Sequence, residues 1–256
     1  GISITNSDLT ITNIFINYNT AGYDSTLAEP WEEPIPENGF GGGIYIFNSN
    51  LDISDTNIGN NTSFNNGAGL YAENSTITSE QGLNSIFNYS LLDGGGIYLK
   101  NTDSSLNQMT ISNNYGQGGA GIYSIYSDII INNSMIEANI SYGDEFHVSG
   151  IYIKSTGESL ISNSTIQNNI SDNGSTTYFG CGEVYLENCI VNNNYAESYI
   201  LYAHNGCATT FINNSNIFNN EIETNYGTII KISNTADMII SNSTIHSNIS
   251  SKVIDG

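Results

Sequence analysis

Arginine is absent from this chain of 256 residues, and lysine occurs only at Lys100, Lys154, Lys231 and Lys252. Against them stand 25 acidic residues, for a net charge of −21. Nucleic acid and anionic membrane are thereby disfavoured as partners, because neutralising phosphates takes clusters of Lys and Arg. Cations, basic partners and neutral glycans stay open, and the charge also keeps the chain in solution. No run approaches 18 apolar residues, so neither a transmembrane helix nor membrane insertion is expected. Proline is confined to Pro30, Pro34 and Pro36, and the one tryptophan, Trp31, lies among them. The chain opens at Gly1 without a Met or a charged and apolar leader, and it starts and stops inside its own repeat. It reads as a processed or partial chain.

Asparagine, by contrast, fills 40 of the 256 positions, and its placement is periodic. Reference positions are Asn13, Asp55, Ser79, Gln108, Asn133, Asn163, Asn188, Asn214 and Asn242. Two residues before each stands an aliphatic: Ile11, Ile53, Ile77, Leu106, Ile131, Ile161, Leu186, Ile212 and Ile240. Three after, the aliphatic recurs with one exception, Gly82. Six after come Asn19, Asn61, Ser85, Asn114, Asn139, Asn169, Asn194, Asn220 and Asn248. Chance at this composition gives asparagine about one time in six, yet this column holds it eight times in nine.

Spacings of 24 to 30 residues, with one of 42, mark a solenoid. Alternation within each frame is strand-like, with no sustained 3.6-residue period. The expected fold is all-β: one right-handed parallel β-helix domain over 1–256, with 8–9 coils of roughly 25 residues and three short strands per coil. Stacking puts like positions in columns, so Ile131, Ile161, Leu186 and Ile212 should form one inward file that no coil could bury alone. Asparagine tolerates left-handed backbone at a tight turn. Stacked coil upon coil, its amides can form a ladder, here expected at Asn61, Asn114, Asn139, Asn169, Asn194, Asn220 and Asn248.

A second motif precedes the first. It is Gly41-Gly42-Gly43-Ile44-Tyr45, then Gly67-Ala68-Gly69-Leu70-Tyr71, Gly94-Gly95-Gly96-Ile97-Tyr98 and Gly119-Ala120-Gly121-Ile122-Tyr123, fading to Ser149-Gly150-Ile151-Tyr152 and Gly227-Thr228-Ile229-Ile230. Small residues before an aliphatic–aromatic pair suit a close backbone approach at the start of a strand. The pairing of Gly118-Gly119-Ala120-Gly121-Ile122 with Ile136-x-x-Asn139 and Ile166-x-x-Asn169 resembles the Gly-Gly-Ala-Ile and Phe-x-x-Asn repeats of polymorphic outer membrane proteins and adhesin-like β-helices. That resemblance spans nearly the whole chain, with Ile where the family has Phe. It implies a secreted, surface-exposed solenoid acting in adhesion or display, and it carries over no catalytic residue.

Residues 20–40 interrupt the repeat as a Pro/Glu-rich inserted loop. Long loops on rigid scaffolds concentrate binding residues, so Trp31, Glu32 and Glu33 are candidate binding residues; the loop also reads as a lid over an apolar column. Asp144, Glu145 and His147 share a longer turn and could hold a divalent cation such as Ca²⁺, although no calcium-loop pattern surrounds them. Cys181 and Cys207 each lie seven residues before a reference asparagine, in adjacent coils. Neighbouring strands bring Cα atoms within disulfide range, so the pair reads either as a Cys181–Cys207 bridge with Cys189 unpaired or as two stacked free thiols; a bridge would support an oxidising, extracellular setting. Asn-x-Ser/Thr sequons occur at Asn74, Asn88, Asn132 and Asn173 among others. They are glycan acceptors only where exposed, which the ladder positions Asn139 and Asn169 should not be.

Right-handed β-helices include polysaccharide lyases and hydrolases, which carry recognisable motifs. A pectate-type lyase needs an Arg or Lys base, whereas the four lysines here are scattered along the sequence. Asn101-Thr102-Asp103 matches one polygalacturonase element, but Asp-Asp, Gly-His-Gly and Arg-Ile-Lys are missing. No column of Asp or Glu stands out that would set two carboxylates at glycosidase spacing. Gly116-x-Gly118-x-x-Gly121 leads into a strand, not the helix that a dinucleotide fingerprint requires. His147, His204 and His246 lack metal-ligand spacing. No resident cofactor is expected. The expectation is a non-catalytic extracellular or cell-surface protein, acting in adhesion or as a structural component, whose partner is a surface protein or glycan. Alternatives are a filament subunit that self-associates end to end, since open strand edges pair readily, and a carbohydrate-binding or polysaccharide-degrading β-helix.

Overall fold

The structure, a computed structural model, describes residues 1–22, 39–143, 147–204, 208–233 and 235–255. It is a right-handed parallel β-helix, with no α-helix among the described residues. Each coil contributes one strand to each of four parallel sheets, which hold ten, nine, nine and eight strands among the described residues. The coil at Ile122–Ile125, Ile129–Asn132, Met135–Glu137 and Ile140–Ser141 shows the order from first sheet to fourth. The fourth strand is only two residues long, a side that the expected three-strand coil lacks. In-register partners Ile44, Leu70, Ile97 and Ile122 lie 26, 27 and 25 residues apart. The first step, Ile2 to Ile44, spans 42. The inserted residues 23–38, with Trp31, Glu32 and Glu33, lie outside the described residues.

Three corners of the coil follow one rule: a residue with left-handed φ, then a residue whose side chain turns inward. After the first sheet these are Asn48–Ser49, Asn74–Ser75 and Asn101–Thr102. After the second they are Asn133–Ser134, Asn163–Ser164 and Asn188–Cys189. After the third, Asn60, Asn113 and Asn168 take φ of 54–55° and the ladder asparagine follows. Asparagine is enriched at the first position because its short polar side chain lowers the left-handed penalty of about 1–2 kcal/mol. The two roles expected of one asparagine are therefore split between neighbours. At the inward positions, hydroxyls cap backbone amides from coil to coil: the backbone N–H of Ser49 donates to Ser75 Oγ, that of Ser75 to Thr102 Oγ1, and that of Thr102 to Ser127 Oγ. Asn101-Thr102-Asp103 is thus a corner with a capping hydroxyl.

The aliphatic file forms as expected: Ile131, Ile161, Leu186 and Ile212 are consecutive register partners, each 0–1% exposed. The ladder also forms and is longer than the seven positions expected. It runs Asn19, Asn61, Asn88, Asn114, Asn139, Asn169, Asn194, Asn220 and Asn248. In each interior rung the backbone N–H and the Nδ2 amide both donate to the next Oδ1; for Asn139 both bonds to Asn169 are 3.0 Å. The second Nδ2 proton reaches the carbonyl of Ile111, again at 3.0 Å. The third glycine of the Gly-rich motif makes room for this. A Cβ on Gly96 would sit 2.9 Å from Asn114 Nδ2 and 2.5 Å from the Gly121 carbonyl. The two motifs meet across the coil.

One frame is corrected. In the third coil the left-handed corner residue is Gly82, not Ser79, and the ladder rung is Asn88, not Ser85. Ile77 pairs with Leu51, while Ser79 pairs with Leu106 in the main aliphatic column. The cause is a corner one residue longer, Ser79 to Gly82 where Ile53 to Asp55 suffices, together with a two-residue slip that keeps Ile77 inward. Asn88 is also a sequon, and as a rung with 0% exposure it is no glycan acceptor in the folded chain; Asn74 is exposed.

Among the described residues the free cysteine is Cys189, which is buried and takes a serine's place between Ser164 and Ser215 in the second corner column. Cys207 lies outside the described residues. Register pairs Gly182 with Ala208, the residues that follow Cys181 and Cys207. Intact mass with and without reductant, after alkylation, should show one bridge and one thiol that reacts only on unfolding; three reactive thiols in the folded chain would refute this. Cys189→Ser should leave stability within about 1 kcal/mol, since serine holds the same corner one coil away. Asn139→Ala should cost about 2–4 kcal/mol in urea unfolding, because it strands buried partners in two coils. Exposed Asn163→Ala should cost only about 1–2 kcal/mol, for its left-handed backbone.

Candidate functional site: the tyrosine-lined sheet

On the first sheet the aliphatic of each Ile-Tyr pair turns inward and the tyrosine outward. Register alone therefore builds one outward column, Tyr45, Tyr71, Tyr98, Tyr123, Tyr152, Tyr178 and Tyr202, followed by Lys231 and Asp255. Five successive ring pairs stack within 8° of parallel at 4.4–5.4 Å. Each such pair adds about 0.5–1.5 kcal/mol beyond area burial. Tyr202 breaks the stack by meeting Tyr178 edge-on at 5.5 Å.

Two residues along the strand runs a second outward column, Phe47, Glu73, Lys100, Ile125 and Lys154. Lys100 Nζ pairs with Glu73 Oε1 at 2.8 Å, and the Tyr71 hydroxyl donates to Glu73 Oε2 at 2.7 Å. Burial pushes the Glu73 carboxyl up, but these two partners outweigh it and hold it below its ordinary value. Burial, reinforced by Glu73, raises the Tyr71 phenol far above its own. At the far end Tyr202 OH lies 2.5 Å from His204 Nδ1, and Ser233 Oγ lies 3.0 Å from both. A hydroxyl on an imidazole is the start of a nucleophile–base pair. Here two hydroxyls converge on the same nitrogen, which makes a polar network rather than a dedicated pair. Beside it, Lys231 Nζ holds Asp255 Oδ2 at 2.7 Å.

The lysines that look scattered in sequence all fall on this sheet, in strands Ile97–Lys100, His147–Lys154, Thr228–Ser233 and Lys252–Asp255. Its strands carry two acids, Glu73 and Asp255, for a local charge of +2 (four lysines less two acids). The second-sheet strands carry seven acids and no lysine, a charge of −7. Contrary to expectation, an acidic column does stand out there: Asp103, Asp128, Glu158 and Glu183 occupy one outward position in four consecutive coils. Sequence reasoning missed both groupings because each needs the register. A signal was present in the recurring place after Ile-Tyr-Leu and Ile-Tyr-Ile, where Lys100 and Lys154 stand.

Of the proposed cation ligands, Asp144 and Glu145 lie outside the described residues. His147 is buried in a first-sheet strand, its backbone N–H donating to the Asn173 carbonyl at 2.6 Å. Among the described residues no group of three His, Cys, Asp or Glu is placed to hold a metal ion, and no helix is long and apolar enough to cross a membrane. The chain matches no protein-family model and no curated protein. Its Gly-rich and Ile-x-x-Asn motifs therefore speak for the solenoid alone.

Asp93, in the turn that leads into the tyrosine strands, is an unusual carboxylate. Its Oδ1 accepts the Gly118 N–H at 2.8 Å, as Asn66 Oδ1 accepts the Asp93 N–H one coil earlier at 2.9 Å. Burial pushes its pKa up to about 6, against the lowering effect of Gly118. A folded-state value above the unfolded one means that the folded state binds more protons between the two. The contribution of Asp93 to stability is thus fully present below pH 3.8 and is lost as pH rises through 6. Asp93→Asn keeps the acceptor and removes the charge. It should stabilise the chain by up to about 3 kcal/mol at pH 7 and by almost nothing at pH 3.5 in urea titrations; an equal effect at both pH values would refute this.

Proposed function

We propose that the chain is a non-catalytic extracellular or cell-surface solenoid, acting in adhesion or as a structural surface component, and that the tyrosine-lined sheet is its contact surface. The carrying observation is the outward column of seven tyrosines on the same sheet as every lysine, in a chain otherwise strongly acidic. The apolar core does not require aromatics on this side. Stacked ring on ring, Tyr71, Tyr98 and Tyr178 are buried and the other four half-buried, so the column offers a rigid, pre-ordered surface of the residue type enriched in interfaces. The sheet's positive charge stands out against the acidic neighbour and would orient an approaching partner.

A second reading, glycan binding, has its own observation. An open groove at the first corner is lined by Asn48, Asn50, Asn74, Asn101, Ser49, Ser75 and Thr76, amides and hydroxyls repeated coil by coil. Such a lining matches the hydroxyl groups of a neutral polysaccharide. Surface plasmon resonance against purified matrix proteins and neutral polysaccharides tests both readings. A protein partner should lose at least tenfold in affinity with Lys100→Glu/Lys154→Glu and nothing with third-sheet Asn216→Asp. A polysaccharide that binds regardless of the lysines, but not to Asn74→Asp, would favour the groove. Release of reducing ends from any polysaccharide would overturn the non-catalytic assignment.

A further inference from the structure

The second sheet offers a separate surface that does not depend on the tyrosine-lined one. Its outward positions Ile130, Leu160, Tyr185, Phe211 and Ile239 stand in register across five consecutive coils. Ile130 and Ile239 are 45% and 52% exposed, and the rings of Tyr185 and Phe211 stack at 4.5 Å. Two residues before the first three stand Asp128, Glu158 and Glu183, and two after Tyr185 stands Glu187. The three ion pairs among the described residues all join first-sheet strands, so lysine compensates none of these acids. An apolar stripe is thus bordered by stacked negative charge, crowded at the inter-strand distance of about 4.8 Å.

We propose that this stripe docks a cationic amphipathic helix. Charge complementarity selects the sign, since basic side chains flanking the occupant's apolar face would relieve the repulsion along the acidic column. The spacing selects the conformation. A helix laid along the solenoid axis returns one side chain per 5.4 Å turn, close to the 4.8 Å step between coils. Across four such steps, roughly 19 Å, the two drift by only about half a step, and a helix of about 13 residues covers the stripe. An extended peptide repeats its side chains on one face at about 6.6 Å and falls out of step sooner.

The test is fluorescence anisotropy of the full chain with a labelled 15-residue Leu/Lys peptide patterned for an amphipathic helix, at low and high salt. Controls are the same residues scrambled to abolish the apolar face, and a Leu/Glu peptide of identical pattern. The patterned cationic peptide should bind saturably, at least tenfold tighter than the scramble, and should gain helical circular dichroism on binding. Tyr185→Ser/Phe211→Ser should weaken it about tenfold, and Glu158→Gln/Glu183→Gln should weaken it similarly at low salt and flatten its salt dependence. First-sheet Lys154→Gln should change nothing. Should the serine variant unfold, the glutamine variant, which alters no core contact, decides alone. Equal binding of scramble and patterned peptide, or indifference to both variants, would show only the general pull of an acidic chain and overturn the proposal.

Discussion

A buried asparagine side chain brings two donor protons and an acceptor oxygen out of water, and each left unmet costs on the order of 1–3 kcal/mol. In this solenoid every interior rung meets all three, but only with the coil above and the coil below in place. Asn139 donates upward to Asn169 and back to the Ile111 carbonyl, while its own oxygen takes both bonds from Asn114. Aliphatic stacking is non-directional and would tolerate sliding. The amide row does not, since a slip leaves donors facing donors. The row therefore sets the register, and the register sets everything outside it: which tyrosines touch, where the lysines gather, and which acids stand together.

The corners show how local chemistry serves that register. A left-handed residue bends the chain, and the next side chain turns in to bond the neighbouring coil. Hydroxyl, thiol and amide all occur at that inward place, as Ser164, Cys189 and Asn169 show. The close approach of Gly96 to both the Asn114 amide and the Gly121 carbonyl explains why glycine recurs opposite the ladder.

Much of this was legible in the sequence, because a repeat of single-residue requirements leaves single-residue marks. The aliphatic file, the ladder and the coil length follow from spacing. The third frame failed for a physical reason. Side chains on a strand alternate with period two, so a two-residue slip keeps Ile77 facing inward and the pattern cannot see it. The candidate surfaces were harder to read. Lys100 and Lys154 lie 54 positions apart in sequence yet only two coils apart in the fold. Glu158 and Glu183 look unrelated until register makes them neighbours. The tyrosines were visible as a motif, but their outward direction depends on which member of the Ile-Tyr pair the core takes.

The third coil has a further consequence. Where other coils place Ile, Leu or Val in both main columns, it places Ser79 and Ser85. The Ser79 hydroxyl is buried with no hydrogen-bond partner. In a linear stack, stability is a sum of links between neighbours, and the weakest link divides the whole. The third turn is thereby linked to its neighbours with less apolar burial in these two columns, so a pull along the axis is expected to part the stack near it and leave the long downstream segment wound.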